Sequence, residues 1–280
     1  MSGILYVVGT PIGNLGDITE RQLEILGTVD FIAAEDTRVT RKLLSHFDLH
    51  TPLVSYHEHS PEAVIRQIAD RLLCGESCAV VTDAGMPCIS DPGALLVQRC
   101  IAEQIPMQVV PGPSAVISAL AVSGQDTTRF CFEGFLSVTK KQRFSHLESL
   151  KREQRTMVFY EAPHKLVNTL RDMLENFGGD RSLTLCRELT KLHEEVRKTT
   201  LAEALSYYTE NIPRGEFVLV LAGAETDTES EKPALETVAA IAKERIAAGE
   251  RASDVCKALA AETGYSKRTL YQAVIAEHES

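Results

Sequence analysis

Two acidic side chains and one basic side chain follow a short apolar segment, and their position suggests acid–base chemistry. Glu35 and Asp36 come directly after Asp30–Ala34, and Arg38 lies two residues beyond Asp36. The apolar run is too short for a helix and predicts a buried β-strand. In open α/β sheets, ligands bind at the carboxyl ends of the strands, and a carboxylate there can accept a proton from a substrate. The alternative is that Glu35 and Arg38 form only a salt bridge.

A second loop, Asp83–Asp91, is a candidate for the wall of a small-molecule pocket. It follows the valine-containing run Cys78–Val81, which predicts a fully buried parallel strand. The sequence around it, TDAGMPCISDPG over residues 82–93, is rich in small residues, which let a ligand approach the backbone closely. Taken alone, this loop could also be a turn-rich connection between a strand and a helix. Similar polar loops after four other predicted strands favour the pocket.

Two further predicted strands run into loops of glycine and proline. Ile4–Val8 leads into Gly9–Leu15, and Met107–Val110 leads into Pro111–Ala115, where Ser114 is placed to cap an apolar helix. A helix N-terminus beside such a loop favours a carboxylate or a phosphate. The sequence GTPIGNL matches neither GxGxxG nor a P-loop with its Lys-Ser/Thr pair, so a Rossmann dehydrogenase or an NTPase is disfavoured.

The alternation of predicted strands and helices indicates an α/β fold with a parallel sheet in the N-terminal part. Helices are predicted to begin at a capping box opened by Thr19 and to cover Ala63–Leu73. We predict an N-terminal α/β domain over 1–124, a second α/β domain over 125–224, an acidic linker over 225–233 and a helical domain over 234–280. Strands of the second domain are predicted at Phe130–Phe135, Thr156–Tyr160, Leu183–Cys186 and Phe217–Leu221.

The predicted helical domain ends in two helices joined by a glycine-containing turn. Ser253–Thr263 forms the first, Gly264 and Tyr265 form the turn, and the second opens with Ser266, Lys267 and Arg268. This arrangement resembles a helix-turn-helix, and a small helical cap or a dimer module is the alternative.

The composition limits the possible partners. A net charge of −10 argues against a protein coated in nucleic acid. The segment between Val138 and Arg155 is nevertheless basic, since it contains six Lys or Arg residues and only two Glu residues. This basic segment is either a local nucleic-acid contact or a solvated helix face. Seven scattered cysteines without a CxxC predict reduced thiols in a cytoplasmic protein. The chain opens directly into a strand and has no apolar run near the ~18 residues of a membrane span, so neither a signal peptide nor a span is predicted.

Taken together, the loops closely resemble those of the ribosomal RNA small subunit methyltransferase I family, which has the tetrapyrrole-methylase fold. The resemblance extends from Leu5 to about Val274 and rests on GTPIGNLGDIT (9–19), AEDTR (34–38), TDAGMPCISDPG (82–93), PGPSA (111–115), FEGFL (132–136), FYEAPHKL (159–166) and RELTK (187–191). It implies a class III S-adenosyl-L-methionine (AdoMet) methyltransferase, usually homodimeric, with two α/β domains and the cofactor in the cleft. The activity it implies is 2′-O-methylation of a decoding-centre cytidine, cytidine 1402, in the 16S rRNA of the 30S subunit.

The resemblance also assigns residues to the cofactor. Ala84, Gly85, Met86 and Ile89 match the segment that holds the methionine part of AdoMet, although Met86 stands where this family more often has Thr. The full set of implied cofactor contacts is Pro11, Asp83, Ala84, Gly85, Met86, Ile89, Ser114, Ala115, Tyr160 and Glu161.

Catalytic and RNA-binding residues complete the expected site. Glu35 falls where tetrapyrrole relatives carry a proton acceptor, and His57 lies near their proton donor. A ribose hydroxyl is a poor nucleophile until it loses its proton, so Glu35 or Asp36 is the predicted base, with Arg38 orienting the carboxylate or gripping phosphate. His57 and His59 lie outside any HExxH motif, and no metal is predicted. The predicted RNA contacts are Lys140, Lys141, Arg143, Arg187, Lys267 and Arg268.

Two other functions fit the same residues. One is methylation of a small tetrapyrrole, and the other is a non-enzymatic AdoMet sensor that binds nucleic acid through its C-terminal helices. The basic segment and the helix-turn-helix-like end favour RNA over a tetrapyrrole. The acids at the strand ends argue against a sensor.

Overall fold

The structure, a computed structural model, describes residues 2–225 and 233–275. Most of the predicted acidic linker, residues 226–232, lies outside the described residues. The chain forms two compact units, one extending through Ala224 and the other beginning at Glu225. Within the described ranges, no helix has both the length and the apolar character of a membrane span.

The first sheet has five parallel strands, which explains the predicted alternation of strand and helix. The order is β3-β2-β4-β1-β5, and every residue of β2 and β4 is buried. Because all strands run the same way, their carboxyl ends meet at one edge. The strands are β1 (Leu5–Val8), β2 (Phe31–Ala34), β3 (Leu53–Ser55), β4 (Cys78–Val81) and β5 (Met107–Val110).

Five helices accompany the first sheet, and cores of aliphatic side chains cover both of its faces. The helices are α1 (Glu20–Thr28), α2 (Thr37–His46), α3 (Glu62–Leu73), α4 (Ala94–Ala102) and α5 (Ala115–Ser123). The predicted capping box is present at α1, where Thr19 accepts from the Gln22 N–H. Ser114 occupies the N-cap of α5 without a capping hydrogen bond from its side chain, and Gly124 ends the helix in the left-handed conformation.

The second sheet is mixed, with the order β6-β7-β10-β8-β9. β6 pairs with β7 in parallel, and the remaining pairs are antiparallel. The elements are β6 (Phe130–Phe135), α6 (Lys140–Ser149), β7 (Thr156–Glu161), α7 (Leu166–Phe177), β8 (Ser182–Arg187), β9 (Glu195–Thr200), α8 (Leu201–Glu210) and β10 (Phe217–Leu221). The sequence did not predict β9, because its residues EVRKTT are charged and polar and the strand lies at the sheet edge.

Helix α5 connects the two sheets through packing. Its residues Val116, Ala119 and Leu120 form one buried cluster with Val158 and Val218 of the second sheet. The opposite face of that sheet carries a separate core with side chains from α6, α7 and α8. The predicted boundary at 124/125 falls between α5 and β6, and the division into two domains stays a prediction because both sheets belong to the first compact unit.

The described part of the second unit contains three short helices, of which the last two correspond to the predicted pair. They are α9 (Leu235–Ala247), α10 (Ala252–Thr263) and α11 (Lys267–Ile275). Val238, Ala242, Val255, Cys256 and Leu270 are buried in a core of the unit's own. Gly264 ends α10 in the left-handed conformation, as expected for the predicted turn. The fold class of two α/β sheets followed by C-terminal helices is therefore confirmed.

Candidate active site

A cleft of about 890 Å³ lies at the carboxyl ends of the first sheet. We call its two sides the first wall and the second wall. The first wall consists of Ile12, Glu35, Asp83, Ala84, Gly85, Met86, Ile89, Ser90, Asp91, Ser114, Ala115, Val116 and Ile117. The second wall consists of Phe130, Phe132, Phe135, Tyr160, Glu161, Ala162, Pro163, Cys186, Leu189, Glu216, Phe217 and Val218.

Backbone hydrogen bonds fasten the loops of the first wall to each other. The Thr10 N–H donates to the Gly85 carbonyl at 2.9 Å, and the Gly85 N–H donates to the Thr10 carbonyl at 3.1 Å. Gly85 has a φ of 91°, a conformation that favours glycine. The neighbouring Ile12 lines the cleft, whereas Pro11 is buried outside the lining. The predicted contact of Pro11 with the cofactor is therefore not supported, and Ile12 occupies that part of the wall.

The loops after β1 and β5 approach each other through two glycines. A Cβ atom on Gly112 would lie 2.5 Å from Nε2 of Gln22 and 2.8 Å from the Cα of Gly9, so only glycine fits there. The Gln22 amide donates to the Gly9 carbonyl at 2.6 Å. This packing fixes the position of the loop after β5, which leads to Ser114. Ser114 lines the cleft at the start of α5.

Three carboxylates converge on the first wall from β2 and β4, which are neighbours in the sheet. Glu35 accepts hydrogen bonds from Oγ1 of Thr82 at 2.6 Å and from the Asp83 N–H at 3.3 Å. Burial, together with the nearby negative charge of Glu35, raises the pKa of Asp83. Burial also raises the pKa of Asp91 to about 6, and both Glu35 and Asp83 add to this rise. The first wall therefore holds two carboxyl groups with raised pKa values, Asp83 and Asp91, close to Glu35.

Asp36 has a structural role that makes it a poor base. Its carboxylate accepts from the Arg38 N–H at 2.8 Å, which caps α2, and from the Arg38 guanidinium at 2.7 Å. These hydrogen bonds from Arg38 lower the pKa of Asp36 to about 2. Neither Asp36 nor Arg38 lines the cleft, so the structure favours Glu35 over Asp36 as the base.

His57 is exposed and also lies outside the cleft lining, and its backbone N–H donates to Oγ of Ser60 at 2.9 Å. The predicted role of His57 as proton donor is therefore not supported by this geometry. Of the four predicted catalytic residues, Glu35 alone belongs to the cleft lining.

The structure brings nine of the ten predicted cofactor residues to the cleft, all except Pro11. Their contact with AdoMet stays a prediction. Sequence reasoning missed Asp91 as a site residue, although it ends the predicted pocket loop. It also missed the aromatic side chains Phe130, Phe132 and Phe135. The alternation of Phe130 and Phe132 along a predicted strand was the available signal for those two, and Phe135 does not follow it.

The predicted RNA-binding side chains differ in burial and in whether they form ion pairs within the protein. Arg143 is mostly buried and forms an ion pair at 2.6 Å with the buried Asp172, and it also donates to the carbonyls of Ser137 and Val138. This guanidinium is therefore engaged within the protein, which does not favour the predicted phosphate contact of Arg143, and that contact stays a prediction. Arg187 is mostly buried and pairs with Glu195 at 3.0 Å.

Four predicted RNA contacts have exposed side chains. Lys140 and Lys141 lie at the start of α6, and Lys267 and Arg268 at the start of α11. The N-terminus of α11 is already capped by Ser266, whose Oγ accepts from the Thr269 N–H at 3.0 Å. One of the N–H groups at this helix start is therefore already satisfied within the protein.

Comparison with known proteins identifies the family of this chain. The tetrapyrrole (corrin/porphyrin) methylase family matches residues 4–205. A relative from Synechocystis sp. named ribosomal RNA small subunit methyltransferase I is 48% identical over 272 residues, which cover 96% of each chain. The protein of that name from Thermotoga maritima is 49% identical over 223 residues, which cover 80% of this chain and 100% of the relative.

Solved structures share the fold at lower identity. The uroporphyrin-III C-methyltransferase from Thermus thermophilus has a TM-score of 0.56 at 22% identity and covers 78% of this chain and 94% of its own. A cobalt precorrin-4 methyltransferase has a TM-score of 0.57 at 19% identity, with 78% and 94% covered. At these identities the structures show the fold alone. The full-length relatives and the family match show that the chain belongs to the ribosomal RNA small subunit methyltransferase I family, within the tetrapyrrole methylases.

Proposed function

We propose that this protein transfers a methyl group from AdoMet to the ribose 2′-hydroxyl of cytidine 1402 in 16S rRNA. The observation that supports this most strongly is the first wall of the cleft. There a glycine-rich backbone for a small ligand adjoins Glu35, a carboxylate able to take a proton. Membership of a methylase family makes AdoMet the methyl donor.

The residues of the cleft fit AdoMet. Gly85 has no side chain, so a ligand can lie directly against its backbone. A Cβ atom at this position would contact Ile12 and the Pro113 carbonyl only at ordinary van der Waals distances, so protein packing does not fill the space beside Gly85. Ser114 and Ala115 at the start of α5 suit a carboxylate, because the first N–H groups of a helix have no partner within the helix. We propose that Asp83–Met86, Ser114, Ala115 and Tyr160 hold the cofactor.

When bound, AdoMet supplies an activated methyl group on a sulfonium, so the protein mainly has to position the acceptor and take up a proton. Glu35 is the proposed acceptor of the 2′-hydroxyl proton as the new carbon–oxygen bond forms. The hydrogen bonds from Thr82 and from the Asp83 N–H fix the position of this carboxylate. Asp36 contributes by capping α2, which begins two residues after Glu35.

Methyl transfer from tritiated AdoMet to 30S subunits, to naked 16S rRNA and to uroporphyrinogen tests this function. We expect label in RNA, at a ribose that resists alkaline cleavage at cytidine 1402, and none in uroporphyrinogen. Label in uroporphyrinogen alone would contradict the proposal. AdoMet binding in calorimetry without any transfer would instead support a sensor.

We propose that the exposed side chains of Lys140, Lys141, Lys267 and Arg268 contact phosphate groups of the RNA. Each lost phosphate contact should weaken binding to the 30S subunit and reduce the salt slope by roughly 0.7–0.9. The Lys140→Ala/Lys141→Ala variant tests the first pair. Lys257→Ala, a change of an exposed lysine of α10, is a control outside both proposed pairs.

We propose further that the helical unit adds RNA affinity and takes no part in the chemistry. The Thermotoga maritima relative supports this, because a match over 80% of this chain covers all of that relative, and residues 1–224 make up the same share of the chain. Deleting residues 233–280 should weaken binding to 30S subunits and leave AdoMet binding intact. An unchanged KM for subunits would identify the unit as a stability or dimer element.

We also propose a cytoplasmic homodimer. Exposed apolar side chains on α4 (Leu95 and Ile101) and on the edge strand β5 (Val109) provide a surface for a second copy. The free thiols of all seven cysteines fit a reducing compartment. Sedimentation velocity of the purified protein tests the dimer, and Ile101→Glu should shift it toward the monomer.

A further inference from the structure

Three aromatic side chains face the cleft from β6, the edge strand of the second sheet. Regular alternation would place Phe130 and Phe132 on one face of the strand and Phe135 on the other. The register between β6 and β7 shifts between Phe132 and Gly134, so that Phe135 lies opposite Tyr160. Gly134 has a φ of 63°, which glycine adopts without strain. This β-bulge turns Phe135 onto the same face as the other two rings.

The aromatic rings form a surface that is rigid at its base and open at its edge. The ring centroid of Tyr160 lies 4.9 Å from that of Phe132 and 5.4 Å from that of Phe135. Phe132 and Tyr160 pack against the buried cluster around Val158, which holds them in place. Phe135 is 57% exposed and Phe130 is 38% exposed, so their faces are accessible from solvent.

The bulge also brings this aromatic surface close to the acidic first wall. A Cβ on Gly134 would lie 3.1 Å from Oγ of Ser90, the residue next to Asp91. The loop that carries two of the three carboxylates therefore touches the strand that carries the exposed rings. A nucleotide could place its base on the rings while its ribose lies at the carboxylates.

We propose that Phe130 and Phe135 form a stacking surface for the base of the nucleotide that is methylated. Proteins that bind unpaired RNA bases commonly stack them on aromatic side chains, because every base has a π-face. A small cofactor held inside the cleft does not require rings that are open to solvent, whereas a base that belongs to a large RNA does. This inference rests on the proposed function, since it identifies the part of the RNA that enters the cleft.

Substitution of Phe135 tests the stacking surface. Phe135→Leu keeps apolar volume but removes the ring face, and Phe135→Tyr keeps the ring. Stacking energies of this kind correspond to about 5- to 150-fold in affinity. We expect Phe135→Leu to raise the KM for 30S subunits within that range with an unchanged AdoMet Kd, and Phe135→Tyr to restore most of the loss. Tyr207→Leu, which removes a ring of 38% exposure outside the cleft, should change neither quantity.

Binding of a short single-stranded oligoribonucleotide containing cytidine separates this inference from the proposed function, because it requires no methyl transfer. Fluorescence anisotropy should show tighter binding by the unaltered protein and by Phe135→Tyr than by Phe135→Leu, whichever substrate is methylated. A Phe135→Leu variant that loses AdoMet affinity instead would show that the rings hold the adenine. Equal oligonucleotide binding by all variants, or none by the unaltered protein, would overturn the stacking surface.

Discussion

The two walls of the cleft are built in different ways. The first wall consists largely of loops after parallel strands, and its main features are backbone atoms and carboxylates. The second wall comes from a mixed sheet and offers mainly aromatic and aliphatic side chains. This difference is the basis for our proposal that the first wall carries out the chemistry and the second wall provides shape and apolar contact.

The largest expected effect tests whether the chemistry belongs to the first wall. Glu35→Gln should lower kcat by about 10²–10⁴, because an amide cannot accept the hydroxyl proton, while AdoMet affinity stays intact. Asp36→Asn keeps a good capping residue and should retain turnover within about tenfold. Single-turnover methylation of 30S subunits and calorimetry with AdoMet provide the two measurements. Near-normal turnover in Glu35→Gln would exclude proton removal by Glu35 and would show that the enzyme acts mainly by positioning the reactants.

The second expected effect concerns the support of the second wall. Arg143→Ala would leave Asp172 buried without its partner, and such a loss costs about 3–5 kcal/mol of unfolding free energy. Arg155 pairs with Glu153 at 2.7 Å but is more exposed, so Arg155→Ala should cost at most about 1 kcal/mol. Urea unfolding of both variants measures the difference. Equal losses would show that burial does not distinguish the two ion pairs.

The third effect tests the backbone of the first wall. Gly85→Val forces a β-branched residue into a positive φ, a strain of about 1–3 kcal/mol, and should weaken AdoMet binding at least about tenfold. Gly178 has a φ of 84° and lies outside the cleft, so Gly178→Val imposes a similar strain without touching the site. If calorimetry finds the same AdoMet affinity in Gly85→Val as in Gly178→Val, the cofactor does not lie on this loop.

The smallest effect is a pH dependence that originates in the first wall. The pKa of Asp91 is about 6 in the folded protein and 3.8 ordinarily, so the folded state binds this proton more tightly than the unfolded state. The resulting stabilisation is complete below pH about 4 and is lost as the pH rises through about 6. Asp91→Asn should therefore gain roughly 1–2 kcal/mol relative to the unaltered protein at pH 8, after allowance for the partial exposure of Asp91.

Urea midpoints at pH 5 and pH 8 measure this effect, with Asp180→Asn on the exposed surface as the control. A gain for Asp91→Asn that is equal at both pH values would contradict the assigned titration. A gain that is already present at pH 5 and clearly larger at pH 8 would assign it to the Asp91 carboxyl, because its two pKa values lie on either side of pH 5.

Much of the fold could be predicted because its strands are short apolar runs. β2 and β4 are buried at every position, and burial on both faces is what such runs predict. β9 escaped prediction because its stability comes from pairing with β8 and from ion pairs such as that of Arg197 with Glu195. These are long-range or side-chain effects that an apolar pattern does not contain.

The parts of the site that consist of backbone loops could be predicted from the sequence. The parts that depend on contacts between residues distant in the sequence were harder to predict. The loop Asp83–Met86 was evident from its small residues. The internal role of Arg143 was not, because its partner Asp172 lies 29 residues away on another helix. The orientation of Phe135 depends on a bulge that shifts the register by one residue, and one residue is enough to move a side chain to the other face of a strand.

The paired hydrogen bonds between Thr10 and Gly85 have a consequence for the thermodynamics of ligand binding. They order this loop during folding, before any ligand arrives. Ordering the backbone of one residue costs about 1–2 kcal/mol at 25 °C, and here that cost belongs to folding. A ligand that binds this loop therefore does not have to offset the conformational entropy of ordering it. Most of the free energy of its contacts contributes to affinity, so a few modest contacts can give tight binding.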